Sequence, residues 1–210
     1  MNIEQLLALS LFAFVSSITP GPNNMMATTS GALFGLRRTV PQVAGVTFGF
    51  VVLLWAASAG IAALLVANPA LAHVLALVGY AYLAWLAWRL LAAAWRPAKL
   101  DERAASRNGM RPLRFWEAAA FQFANPKAWM MALSTVTTFL AGSRNPVSAI
   151  IAISVVFSVI NFPCVGAWAL LGARMRDWLH DETSAWRLRL FNAVMGLSLV
   201  ATLIWLISIA

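Results

Sequence analysis

"SSITPGPNNMMA", Ser16–Ala27, interrupts a run that is otherwise apolar enough to cross a membrane. Proline has no amide hydrogen and clashes with the preceding turn, so Pro20 and Pro22 free carbonyls that a regular helix would pair. Gly21 between them is expected to adopt backbone angles that other residues resist. Asn23 and Asn24 then set amide donors and acceptors beside the opened chain. In hydrocarbon each unpaired backbone group costs several kcal/mol unless protein, water or a solute satisfies it. The half-helix beginning near Pro22 would aim its positive N-terminal end into the gap, which favours a carboxylate. Such a break supplies partners for both ends of a zwitterion.

Composition puts this break in a membrane. Of 210 residues, 61% are hydrophobic and 10% charged, and the mean hydropathy is +0.78. A soluble domain carries roughly 25% charged residues. Apolar runs of about 20 residues recur along the chain, as transmembrane helices require. The expected fold class is an all-α polytopic membrane protein, one transporter domain over 1–210. The N-terminus "MNIEQLLALSLF" lacks a basic n-region and reads as a retained first helix. Six spans are expected, at about 4–31, 41–66, 70–94, 115–140, 147–171 and 188–209, with a long polar linker at Arg96–Arg114. The connection Ala173–Trp186 looks amphipathic and is expected in the interface plane.

The net charge of +8 does not point to nucleic acid, because the basic residues sit in the connections between apolar runs. Arg37 and Arg38, then Arg96, Lys99, Arg103, Arg107, Arg111 and Arg114, then Arg174, Arg176, Arg187 and Arg189 fall in alternate loops. These are twelve of the 15 basic residues, and they share one side. Arg144 lies opposite, Arg89 is expected to snorkel, and Lys127 stands apart. Positive loops face the cytoplasm, so both termini are expected outside a bacterial cytoplasmic (inner) membrane. The single Cys164 forms no CxxC pair, and His73 and His180 lie far apart, so neither metal nor cofactor is expected.

Each half, about 1–95 and 115–210, holds three spans, and an odd number inserts the second half upside down. "TPGPNN" (Thr19–Asn24) has a counterpart in "NPKAW" (Asn125–Trp129), and an offset of 105 residues aligns Met25–Ala27 with Met130–Ala132. Interrupted spans at corresponding positions point to an inverted-repeat transporter with a midplane site. The expected site walls are Pro20, Gly21, Pro22, Asn23 and Asn24 on one side and Asn125, Pro126 and Lys127 on the other. Lys127 is the one charged side chain well inside a span, at a cost of at least about 2.5–3.5 kcal/mol, so it should face protein or water. It would bind a carboxylate or titrate; Glu117 is the other coupling candidate. Trp129, beside it, is a candidate substrate contact. Other tryptophans near span ends, such as Trp88, Trp95, Trp116, Trp178 and Trp186, read as interfacial anchors. Asn161 and Pro163 make a third break, with Asn161 a site residue or a hydrogen bond between helices. Arg37 and Arg38 would flank the cytoplasmic mouth. Gly31/Gly35 and Gly45/Gly49 permit close helix contact within a subunit or across a homodimer.

"ITPGPNNMMATTSGALFGLRRTVPQVAGVTFGF" (Ile18–Phe50) resembles the N-terminal signature of the LysE/RhtB family of amino-acid exporters. "FANPKAWMMALS" (Phe123–Ser134) resembles that family's second signature, and length, span count and basic central loop agree. With "LSTVTTF" (Leu133–Phe139), the "PNN" form looks most like the branch that includes cysteine and O-acetylserine exporters. The resemblance implies efflux of amino acids or close derivatives, driven by the proton gradient or the membrane potential; the expected cargo is small and largely neutral, and no enzyme activity is expected. The alternatives are a permease for another small polar or ionic solute and, from a different class, an intramembrane enzyme. The latter would need a nucleophile with a base or metal inside a span.

Overall fold

A computed structural model describes residues 1–61, 67–95, 111–140, 143–179 and 185–208. Among these, eight α-helices and no strands occur. In chain order they are α1 (Ile3–Ile18), α2 (Pro22–Phe34), α3 (Leu36–Ala56), α4 (Pro69–Trp95), α5 (Phe115–Ala124), α6 (Pro126–Thr135), α7 (Pro146–Leu179) and α8 (Ala185–Ser208). A π-helical turn extends α3 over Ala57–Ile61, and another extends α6 over Val136–Leu140.

Two helical stretches are long and apolar enough to cross a membrane, Leu36–Gly60 and Pro146–Met175. The pair α1–α2, bent by 54° at its break, makes a third if counted as one span. The two paired breaks are present. The chain is extended at Thr19 and Gly21 between α1 and α2, and at Asn125 between α5 and α6. Pro22 and Pro126 each occupy the first turn of the second half-helix, where a missing N–H costs nothing. Aligned by these helix starts, the two halves are offset by one residue less than the Met-Met-Ala match implies.

Three proline and glycine readings change. Pro41 does not start a helix; α3 begins at Leu36, and Pro41 lies inside it. The carbonyl it leaves is that of Arg37, at an exposed helix end. Pro163 does not break α7, which runs continuously from Pro146 to Leu179. Residues 173–179, expected in a separate interfacial segment, are the last turns of that helix; His180 lies outside the described residues. Gly21 has φ −178° and ψ 179°, an extended conformation open to any residue, so its smallness must serve something else.

Lipid offers helices no hydrophobic reason to associate, so close packing of small residues does the joining. α2 lies against α7 with Gly31 facing the Ala169 carbonyl and Gly172 facing the Thr28 carbonyl, and a Cβ at either glycine would run into backbone. α3 meets α5 in the same way, with Gly45 against Phe115 and Gly49 against Ala119. These glycines are engaged within the chain. Gly35 instead forms the α2–α3 corner, at φ 82° and ψ 162°, a region essentially reserved for glycine. α4 pairs with α8, and Leu83, Ala87, Phe191, Met195 and Leu199 join Met25 of α2 in a buried cluster. A second cluster around Leu9, Phe50, Leu53, Ile153 and Phe157 binds α1, α3 and α7. Trp88, Trp95, Trp116 and Trp186 are exposed, and Arg89 lies 5.0 Å over the Trp85 ring.

Two glycines of α7 give opposite expectations. Gly172→Ala forces a methyl into the Thr28 carbonyl and should cost about 1–3 kcal/mol. Gly166 has open space around it, so Gly166→Ala should be neutral or stabilise by up to about 1 kcal/mol. Melting curves of the two purified variants check this; equal destabilisation would contradict the packing described.

Candidate functional site

The break in α1–α2 leaves a run of carbonyls without helical partners, and each one finds a substitute. The Val15 carbonyl keeps the last helical bond, from the Thr19 amide at 3.2 Å, and the Ser16 carbonyl, the first to lose its own, accepts from Thr19 Oγ1 at 3.1 Å. Asn24 spends both hydrogens of its side-chain amide on Ser17 and Thr19, each at 2.8 Å. Trp168 of α7 donates its indole N–H to Ile18 at 3.0 Å. Lys127 Nζ, from the second half of the chain, donates to the Thr19 carbonyl at 2.9 Å, to Thr19 Oγ1 at 2.8 Å and to the Pro20 carbonyl at 3.3 Å. Gly21 accepts from the Met25 amide at 2.9 Å, beginning α2.

Lys127 explains Gly21. A Cβ there would stand 2.9 Å from Lys127 Cδ and 3.1 Å from its Nζ, so the missing side chain is the space in which the lysine lies. The lysine is aimed by its own break: Asn125 Oδ1 caps α6 by accepting from the Lys127 amide at 3.1 Å.

A second bridge joins the breaks. Asn23 and Gln122 exchange side-chain amide bonds, at 2.9 Å and 3.1 Å, and Gln122 also donates to the Ala118 carbonyl at 2.9 Å. Asn161 ties α7 to both neighbours, donating to Ser17 Oγ at 3.1 Å and accepting from Thr47 Oγ1 at 3.0 Å.

Between these groups lies a narrow hollow whose enclosed space is about 20 Å³, room for roughly one water, opening into a wider mouth. Ser16, Ser17, Asn23, Asn24, Asn161 and Lys127 supply its polar lining; Phe50, Met131 and Val165 supply apolar surface. Convergent polar groups beside apolar surface are the usual ingredients of a small-molecule site.

Comparison with known proteins decides the family. The LysE type translocator family matches residues 14–208, nearly the whole chain. The chain belongs to that family. It is therefore an integral membrane transporter and not an enzyme. A cysteine/O-acetylserine efflux protein of Escherichia coli (strain K12) is 31% identical over 172 residues, covering 82% of this chain and 84% of the relative. That of Salmonella typhimurium (strain LT2) is 33% identical over 162 residues, covering 77% and 78%. No solved structure matches the chain.

In this translocator the expected site residues separate by position. Gly21, Pro22, Asn23, Asn24, Lys127 and Asn161 line the cavity. Pro20 contributes its carbonyl, while Asn125 and Pro126 set the start of α6. Trp129 turns away from the cavity lining: its indole N–H donates to Phe123 at 2.8 Å, and its ring packs in the core around Leu9 and Phe157. Glu117 sits outside the cavity at the start of α5. It accepts from both terminal nitrogens of Arg111 and from the Arg114 amide at 2.9 Å. The side-chain hydrogen bonds from Arg111 to Glu117 raise the Arg111 pKa above its ordinary value. Arg37 and Arg38 are exposed in the first turn of α3, beyond the far end of α2, a helix about 20 Å long that separates them from the break.

Gln122, Ser17, Thr19, Thr47 and Trp168 were not singled out from the sequence. Gln122 was open to detection, being an uncharged polar residue three positions before Asn125 inside an apolar run.

The amide exchange gives a measurable coupling. Asn23→Ala strands the fully buried Gln122 amide and should cost about 1–3 kcal/mol. In a double-mutant cycle with Gln122→Leu the losses should fall well short of additive. Additive losses in thermal melts would contradict a direct pair.

Proposed function

We propose that this translocator exports small, largely neutral amino acids or close derivatives from the cytoplasm, with the cavity between the two helix breaks as the solute site. The observation that carries the reading is the meeting of both breaks at one polar hollow, with opened carbonyls from one half and a lone ammonium from the other. A zwitterion's ammonium would take carbonyl oxygens, and its carboxylate would take Lys127 and the positive end of α2. The names of the relatives, cysteine/O-acetylserine efflux proteins, support an amino-acid cargo of this size.

Transport would proceed by alternating access between two inverted halves of three spans each. Reciprocal packing supports that arrangement. α1 and α2 lie on α7, the second span of the other half, while α5 and α6 lie on α3. The basic loops favour both termini on the outer side of the cytoplasmic membrane. Because Glu117 is engaged by Arg111 at the helix start, coupling would fall to Lys127, or export would run down the solute's own gradient.

Amino-acid profiling of the medium tests the reading. Cells overexpressing the chain should release a small neutral amino acid, and cells carrying Lys127→Ala should release none while inserting the protein equally. Overflow at the wild-type level from Lys127→Ala removes Lys127 from the mechanism. Absence of any overflow from the wild type removes the exporter.

A further inference from the structure

Lys127 Nζ carries three hydrogens, and three oxygens receive them: the Thr19 carbonyl, Thr19 Oγ1 and the Pro20 carbonyl, at 2.8–3.3 Å. Nothing in this arrangement is specific to a lysine. A primary ammonium on any small molecule presents the same three donors. The Gly21 gap admits the lysine stem, the cavity lining includes Gly21 and Lys127, and Thr19 and Pro20 beside them are exposed, so a second ammonium has a route to the same oxygens.

We propose that the Thr19–Pro20 oxygens form a primary-ammonium site, which Lys127 fills in the empty protein and the solute's own α-ammonium takes over on binding. This rests on the export reading for the identity of the incoming ammonium, though not for the existence of the cradle. The exchange leaves no bare carbonyls at any stage, because one ammonium enters as the other leaves. It also delivers Lys127, released from Thr19, to the carboxylate of the solute that displaced it. Lys127 is thus an internal stand-in for cargo, and it fixes the cargo class. Primary amines qualify, whereas quaternary ammonium compounds have no N–H to donate and are excluded.

The test uses the purified full-length chain with Lys127→Ala, melted in ethylammonium chloride or tetramethylammonium chloride at equal concentration. The variant should melt below wild type. Ethylammonium should raise its Tm by about 3 °C or more, and tetramethylammonium should not. Wild type, its cradle already filled, should respond to neither ion. Adding Thr19→Val to Lys127→Ala should shrink the ethylammonium response by removing one acceptor. Equal responses to the two ions, no response to either, or the same response in wild type would overturn the cradle. If Lys127→Ala does not survive purification without a ligand, the yield of monodisperse protein prepared in each salt becomes the readout. More protein in ethylammonium supports the site, and equal yields overturn it. No transported solute enters this experiment. A cradle that binds ethylammonium in a protein that exports no amino acid would defeat the export reading alone.

Discussion

Everything at the centre of this molecule answers to one constraint: within a membrane span the carbonyls from Ser16 to Pro20 are costly to leave unpaired. A continuous helix would satisfy them with its own amides. Pro20 and Pro22 forbid that, so the partners come from elsewhere. Asn24 reaches back from the next helix, Trp168 reaches across from α7, and Lys127 comes from the opposite half of the chain. The break therefore does more than bend a helix. It obliges α2, α6 and α7 to converge on the end of α1, and the cavity is the space left where they meet.

The rest of the fold holds that convergence in place. Glycines let α2 sit against α7 and α3 against α5 at backbone contact, so the half-helices are gripped along their length rather than at the break alone. The Asn23–Gln122 exchange then ties one break to the other. The groups that seal the opened backbone are the same types that would hold an amino acid: carbonyls for an ammonium, and an ammonium with a helix N-terminus for a carboxylate. Structural satisfaction and solute recognition draw on one set of atoms, and on the proposed reading they alternate.

Much of this was legible in the sequence, for a local reason. Proline and glycine act on their own backbone, so the breaks at Thr19–Gly21 and Asn125 could be read from "TPGPNN" and "NPKAW" alone. The same residues misled where context decides. Pro41 and Pro163 sit inside continuous helices, because a single lost amide bond is tolerated where the freed carbonyl lies near an exposed end or neighbours can serve it. The Gly21 backbone is open to any residue, and what its missing side chain provides is room for a lysine more than a hundred residues away. Trp168 and Thr47 carried no local signal of their roles, since each acts through a partner distant in the chain. Trp129 stood next to Lys127 in sequence, but on a helix neighbours point in different directions, and its ring went to the core.

The most direct measurement is the position of a bound solute's nitrogen. Solid-state NMR on the protein in lipid bilayers, with a 15N-labelled amino acid that it exports and 13C in the Thr19 carbonyl, reports that distance. The account predicts a separation of about 4 Å, the spacing of a hydrogen-bonded nitrogen and carbonyl carbon. Solute bound with no dipolar coupling to Thr19, while Lys127 keeps its place on that carbonyl, would contradict it.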